Sequence, residues 1–180
     1  MLFISGVPMK YITVAGAGVL LVLGSLVFFT PYLQERVKTF INPSTDPRGS
    51  SYQIQQSLIA IGSGGIFGRG FGQSVQKFSY LPEPQGDSIF AVLGEKLGLL
   101  GVSFALALYI LFAIFGYRIA IRSHDSFSKL LAVGITSWIL IQSFINIAAI
   151  SGLAPLTGVP LPFISYGSSG LVINIVGASI

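Results

Sequence analysis

YLPEPQGDSIFAVLGEKLG, residues 80–98, turns a polar segment into a hydrophobic helix and leaves a carboxylate at the point of change. Two prolines, Pro82 and Pro84, flank the acid Glu83. Gln85 and Gly86 then lead to a second acid, Asp87, and the apolar run begins. Asp87, Ala91, Gly94, Gly98, Gly101 and Ala105 recur at helical spacing, so they share one face. Apart from the acid that face is small, and Gly94 with Gly98 forms a GxxxG pair of the kind that lets a second helix approach closely in lipid.

The rest of the chain agrees with a membrane setting. Of its 180 residues 52% are hydrophobic and only 9% are charged, against roughly 25% charge in soluble domains. There is no cysteine, which excludes disulfide frameworks and thiolate metal sites. The net charge of +4 suits anionic head groups or a phosphorylated lipid better than nucleic acid.

Residues 12–30 are uncharged, rich in Val and Leu, and stopped by Pro31, long enough to cross the ~30 Å hydrocarbon layer. Residues 31–86 differ in kind, with charges at Glu35, Arg36, Lys38, Asp46 and Arg48 and turn signals at Asn42-Pro43 and Asp46-Pro47. Within them, 51–61 reads as a short amphipathic helix. The cluster GSGGIFGRGFG at 62–72 is too rich in glycine for a helix interior. It lacks the strand and the Gly-Lys-Ser/Thr of a nucleotide loop.

Residues 88–117 read as one apolar helix longer than the hydrocarbon, followed by a charged turn with Arg118, Arg122, His124, Asp125 and Lys129. From Leu130 onward no Asp, Glu, Lys or Arg occurs. Pro155, Gly158, Pro160, Pro162 and Gly167 divide that run into a span, a Pro/Gly loop at 151–166 and a last span. The expectation is an all-α polytopic bundle of about four spans, a single membrane domain over 1–180. Segment 31–86 would be a large extracytoplasmic loop, and the 118–129 turn cytoplasmic by its positive charge. Irregular backbone in the Pro/Gly loop must be buried in protein or line a wet cavity, so that loop is expected to fold back toward Asp87.

Three runs then carry a family resemblance: INPSTDPRGSSYQIQQSLIAIGSGGIFGRGFGQS, KFSYLPEPQGDSIFAVLGEKLGLLG and INIAAISGLAPLTGVPLPFISYGSSGL. In this order they closely resemble the C-terminal half of the SEDS family (the FtsW, RodA and SpoVE group), and the KFSYLPE and GSGGIFGRGFG runs resemble its division branch, FtsW. Lys96 stands where the family usually has Glu. Gly86-Asp87-Ser88 and Gly167-Ser168-Ser169-Gly170 depart from its usual Thr-Asp-Phe and Gly-Gly-Ser-Ser.

The resemblance implies a fragment of a ten-span fold in the bacterial cytoplasmic (inner) membrane. It implies a peptidoglycan glycosyltransferase that polymerises lipid II outside the membrane during cell division. A class B penicillin-binding protein and other division proteins would be partners, with no nucleic acid. A lipid II flippase or a division scaffold is the alternative. No cofactor is implied beyond a possible divalent cation, and no metal-ligand spacing is visible.

On that reading Asp87 matches the family's catalytic acid, a general base. The residues alone favour a helix N-cap, the resemblance favours the base, and the two roles are compatible. Arg69 and Lys77 are the cations best placed to meet a pyrophosphate. Glu83 lies four residues before Asp87, and Glu95 lies near the small stripe. Gln56 and Ser165 complete the candidate substrate-binding set. Gln142, Asn146 and Asn174 are expected to make interhelical hydrogen bonds, and His124 is assigned no role.

Overall fold

The computed structural model describes residues 8–41, 50–70 and 86–179, and every regular element among them is helical. The order is α1 (Met9–Phe29), α2 (Pro31–Ile41), α3 (Ser50–Gly64), α4 (Ile89–Arg122), α5 (Ser126–Ile150) and α6 (Ser168–Ser179). Helices α1, α4 and α5, of 21, 34 and 25 residues, are long and apolar enough to cross a bilayer, which makes this a multi-pass membrane protein. Where the fourth span was expected lies α6, an apolar helix whose 12 described residues reach about 18 Å, short of the ~30 Å core.

The segment expected as a large outer loop with one short helix at 51–61, residues 31–86, contains two of the helices, α2 and α3. Pro31 both ends α1 and opens α2, because a proline in a first helical turn gives up an N–H that has no intrahelical partner. α3 extends past Ile61 to Gly64, over the first glycines of the cluster, and packs along the first turns of α4. The main apolar core lies at this end. Ala60 of α3, Phe90, Ala91 and Val92 of α4, Ala149 and Ile150 of α5, and Leu156 and Leu161 of the Pro/Gly loop form one buried cluster. Elsewhere α4 and α5 expose large apolar side chains such as Phe104, Ile110, Ile121 and Phe144, as a lipid-facing surface requires. There the two helices meet through small groups: a Cβ added at Gly116 would stand 2.2 Å from Thr136 Oγ1.

α4 is not one continuous helix. Gly98 has φ 64 and ψ −160, which breaks it into a first piece, 89–97, and a second piece, 99–122. The second piece alone spans about 36 Å, long enough to cross the ~30 Å hydrocarbon without the first. A break in an apolar environment orphans backbone groups at several kcal/mol each unless something else bonds them. The glycine turn after α3 does this. Arg69 and Gly70 donate their N–H groups to Glu95 O and Lys96 O, at 2.9 and 3.0 Å. In return Leu99 and Leu100 donate to Gly65 O and Ile66 O, at 2.9 and 3.2 Å.

The approach is backbone to backbone. A Cβ at Gly68 would lie 2.1 Å from Lys96 O, and one at Gly64 would lie 2.0 Å from Gly94 O. The partner of the Gly94/Gly98 stripe is therefore α3 and its turn.

The Pro/Gly loop folds inward. Leu156, Leu161, Pro162 and Ser165 are buried, and Tyr109 of α4 donates its hydroxyl to Pro162 O at 2.5 Å. The 118–129 turn sits at the other end of α4 and α5. There Asp125 caps α5 by accepting from Ser128 N at 3.1 Å.

Candidate active site

Asp87 sits one residue before the N-cap of α4. Ser88 occupies that cap position: its carbonyl accepts from Ala91 N at 3.0 Å, and among the described residues no side chain caps the helix. The N-cap reading of Asp87 therefore gives way, by one residue, to a different set of bonds. Its carboxylate faces α3, where Gln53 Nε2 donates to Asp87 Oδ1 at 3.2 Å and to Ser88 Oγ at 2.9 Å. Ser88 Oγ lies 3.5 Å from the same Oδ1. Among the described residues nothing donates to Oδ2, and the side chain is half-buried. The group is thus held at one oxygen and offers the other as an acceptor.

The backbone of Asp87 is held separately. Asn146 of α5 donates through Nδ2 to Asp87 O at 2.9 Å and to Val159 O at 2.7 Å. One amide thereby ties the start of α4 to the Pro/Gly loop. One turn earlier on α5, Gln142 Nε2 donates to Pro160 O at 3.0 Å. Of the three polar residues expected to join helices, Gln142 and Asn146 both bond the Pro/Gly loop, because its carbonyls at Val159 and Pro160 are acceptors left over where regular structure stops.

Of the other candidates, Gln56 is half-buried and lies one turn from Gln53 on the same helix. Ser165 is committed to the loop: Oγ accepts from Leu161 N at 2.7 Å, while Ser165 N donates to Leu161 O at 3.0 Å. Glu95 has no exposed surface, so nothing bound at the mouth reaches it in this conformation. Arg69 is exposed and bonds Ser63 O through Nε at 3.2 Å. Its backbone stands level with Glu95, about 12 Å along α4 from Asp87. The structure does not bring Arg69 to the acid. Glu83 and Lys77 lie outside the described residues.

The cation found at the Pro/Gly loop is Arg36 of α2, which donates through Nη1 to Leu156 O and lies over the Tyr32 ring at 4.7 Å. Composition alone marked Arg36 only as a charge near a span end. Gln53 was one of several amides in 51–61, and its i, i+3 spacing to Gln56 was the available signal. Among the described residues no three His, Cys, Asp or Glu side chains gather as a metal site. A groove of about 450 Å³ between α5 and α6, lined by Leu131, Ile135, Trp138, Ile173 and Asn174, is nearly all apolar and does not include Asp87.

The whole chain, residues 1–180, matches the family model FTSW_RODA_SPOVE, described as cell cycle protein. Stage V sporulation protein E of Bacillus subtilis is 44% identical over 180 residues, covering 100% of this chain and 49% of that protein. A probable peptidoglycan glycosyltransferase FtsW of Geobacter sulfurreducens is 41% identical over 180 residues, covering 100% and 48%. Another, of Buchnera aphidicola subsp. Schizaphis graminum, is 41% identical over 182 residues, covering 99% and 52%. A chain from a solved peptidoglycan synthase complex, studied for the coordination of polymerization and crosslinking, aligns with a TM-score of 0.76 and 26% identity, over 98% of this chain and 48% of that one. The chain spans about half the length of these relatives.

Proposed function

The chain belongs to the FtsW/RodA/SpoVE family of cell-cycle proteins, and from that premise we propose that it forms the acid-bearing part of a peptidoglycan glycosyltransferase acting on lipid II at the outer face of the bacterial cytoplasmic membrane. The observation that carries the reading is the half-buried Asp87 carboxylate, held at Oδ1 by Gln53 and acceptor-ready at Oδ2, at the outer end of a spanning helix. In the reaction, Asp87 takes the proton from the sugar 4-hydroxyl of one lipid II. That oxygen attacks the anomeric carbon of the growing strand, the new glycosidic bond forms with inversion, and the bond to undecaprenyl pyrophosphate breaks. A positioned general base contributes roughly 10²–10⁴-fold. Arg36, which bonds the Pro/Gly loop at Leu156 O, is the cation this reading assigns to the departing pyrophosphate. A class B penicillin-binding protein and other division proteins are the partners this reading calls for, and no cofactor is part of it.

The broken α4 favours a second reading, because discontinuous helices mark the substrate sites of many transporters. In those proteins the freed backbone groups face a substrate or an ion. Here Glu95 O, Lys96 O, Leu99 N and Leu100 N all bond the glycine turn, which supports a structural joint and an enzyme over a flippase. The deciding experiment follows glycan synthesis from purified lipid II by the full-length protein with its partner. Asp87→Asn keeps an oxygen for Gln53 to bond, so the protein is expected to stay folded while polymerisation falls at least ~10²-fold. A folded Asp87→Asn protein that polymerises at the parent rate ends the base assignment.

A further inference from the structure

An acid one residue before a helix start has a rival occupation. The first N–H groups of any helix lack intrahelical partners, and a carboxylate beside them is drawn to cap them. Among the described residues no side chain caps those groups in α4, although Asp87 and Ser88 are both at hand. What turns Asp87 away is Gln53. Its two amide hydrogens go to Asp87 Oδ1 and to Ser88 Oγ, which are the two side chains able to cap. We propose that Gln53 is a positioning residue: it holds the Asp87 carboxylate out of the helix cap and aimed into the mouth of the site, where it works as a base. This inference rests on Asp87 being that base.

A simpler role, fastening α3 to α4, is already filled. Gly64 packs against the Gly94 carbonyl, and the glycine turn exchanges backbone bonds with both sides of the Gly98 break. Asn146 sets the backbone of Asp87, so the rotation of its side chain is the freedom that Gln53 removes. A neutral donor suits the task. α3 and the 151–166 loop contain no Asp, Glu, Lys or Arg, and the charge on α5, Lys129, is at the far end. On α4 the next charges, Glu95 and Lys96, are two turns away.

The two roles predict opposite effects on stability. With Gln53→Leu in the full-length protein and its partner, kcat for lipid II polymerisation is expected to fall roughly 10- to 100-fold, the scale of a misplaced reacting group. KM is expected to be little changed, and the melting temperature to hold or rise as Asp87 relaxes into the cap. Gln53→Glu keeps the reach of the side chain but removes its N–H donor, so kcat is expected to fall at least as far as in Gln53→Leu.

Gln53→Leu at the parent kcat, or a parallel loss of melting temperature and activity, overturns the proposal. Asp87→Asn, measured alongside, separates the two failures. If Asp87→Asn is inactive while Gln53→Leu is unaffected, the positioning role alone falls. If Asp87→Asn is fully active, the base assignment falls first.

Discussion

The glycine turn in the α4 break makes a quantitative demand that a single methyl group tests. At Gly68 an added Cβ would stand 2.1 Å from Lys96 O, 2.4 Å from Lys96 C and 2.7 Å from Gly98 N. All three are backbone atoms, so no side chain can swing aside. The turn must retreat, and with it go the bonds from Arg69 N and Gly70 N to α4. Each orphaned buried group costs about 1–3 kcal/mol. The φ of +78 at Gly68 adds about 1–2 kcal/mol for an L side chain. Gly68→Ala is therefore expected to destabilise by about 3–8 kcal/mol.

Two neighbours calibrate the measurement. Gly65 has φ +57 but no atom within 4 Å of its would-be Cβ, so Gly65→Ala carries only the conformational cost of about 1–2 kcal/mol. Gly62 is helical with equally open surroundings, and Gly62→Ala is expected to gain about 0.5–1 kcal/mol. The assay is thermal unfolding of the full-length protein in detergent, with the three variants side by side. If Gly68→Ala melts no lower than Gly65→Ala, the turn does not occupy the break and the account of α4 is wrong.

Asn146→Leu removes the donor shared by Asp87 O and Val159 O and is expected to cost about 1–3 kcal/mol for each carbonyl left dry, with cysteines in the 151–166 loop becoming easier to alkylate. Single cysteines at the exposed Gln55 and at His124 are expected to react with a membrane-impermeant reagent from opposite sides, outside and inside; the reverse pattern would invert the topology. The bond from Ser128 N holds the Asp125 carboxyl below its ordinary value, so its cap on α5 is present above the usual carboxylate range and is lost as the pH falls through its own lower value. Amide exchange at the start of α5 is expected to speed up only at that acid extreme in the parent, and to stay slow there in Asp125→Asn, whose side chain caps without titrating.

What could be read in advance follows from where each signal resides. α1, α4 and α5 declare themselves as uncharged runs of spanning length, and Asp87 is conspicuous as the acid where one such run begins. The small stripe through Ala91, Gly94 and Gly98 was visible too, but not its partner, because the matching surface lies in α3, in a segment whose Gln and Ser residues read as an outer cap. The break at Gly98 was hidden for a related reason. Within an apolar run a glycine signals close packing, and only backbone groups from residues 65–70 make the broken form stable. The capping alternative for Asp87 turned on a single residue of helix boundary, which propensity does not resolve. Gln53 was one amide among several until α3 was laid against α4.

Loops are ordinarily where a protein family varies in length, since extra residues can bulge into solvent. The run from Gly64 to Gly70 lacks that freedom. Its residues meet α4 at fixed partners on both sides of Gly98, so one inserted residue would carry every later donor past its acceptor. This stretch is bound to evolve as a sheet-core strand does, exchanging side chains where they point outward, as Ile66 and Phe67 do, while keeping its residue count.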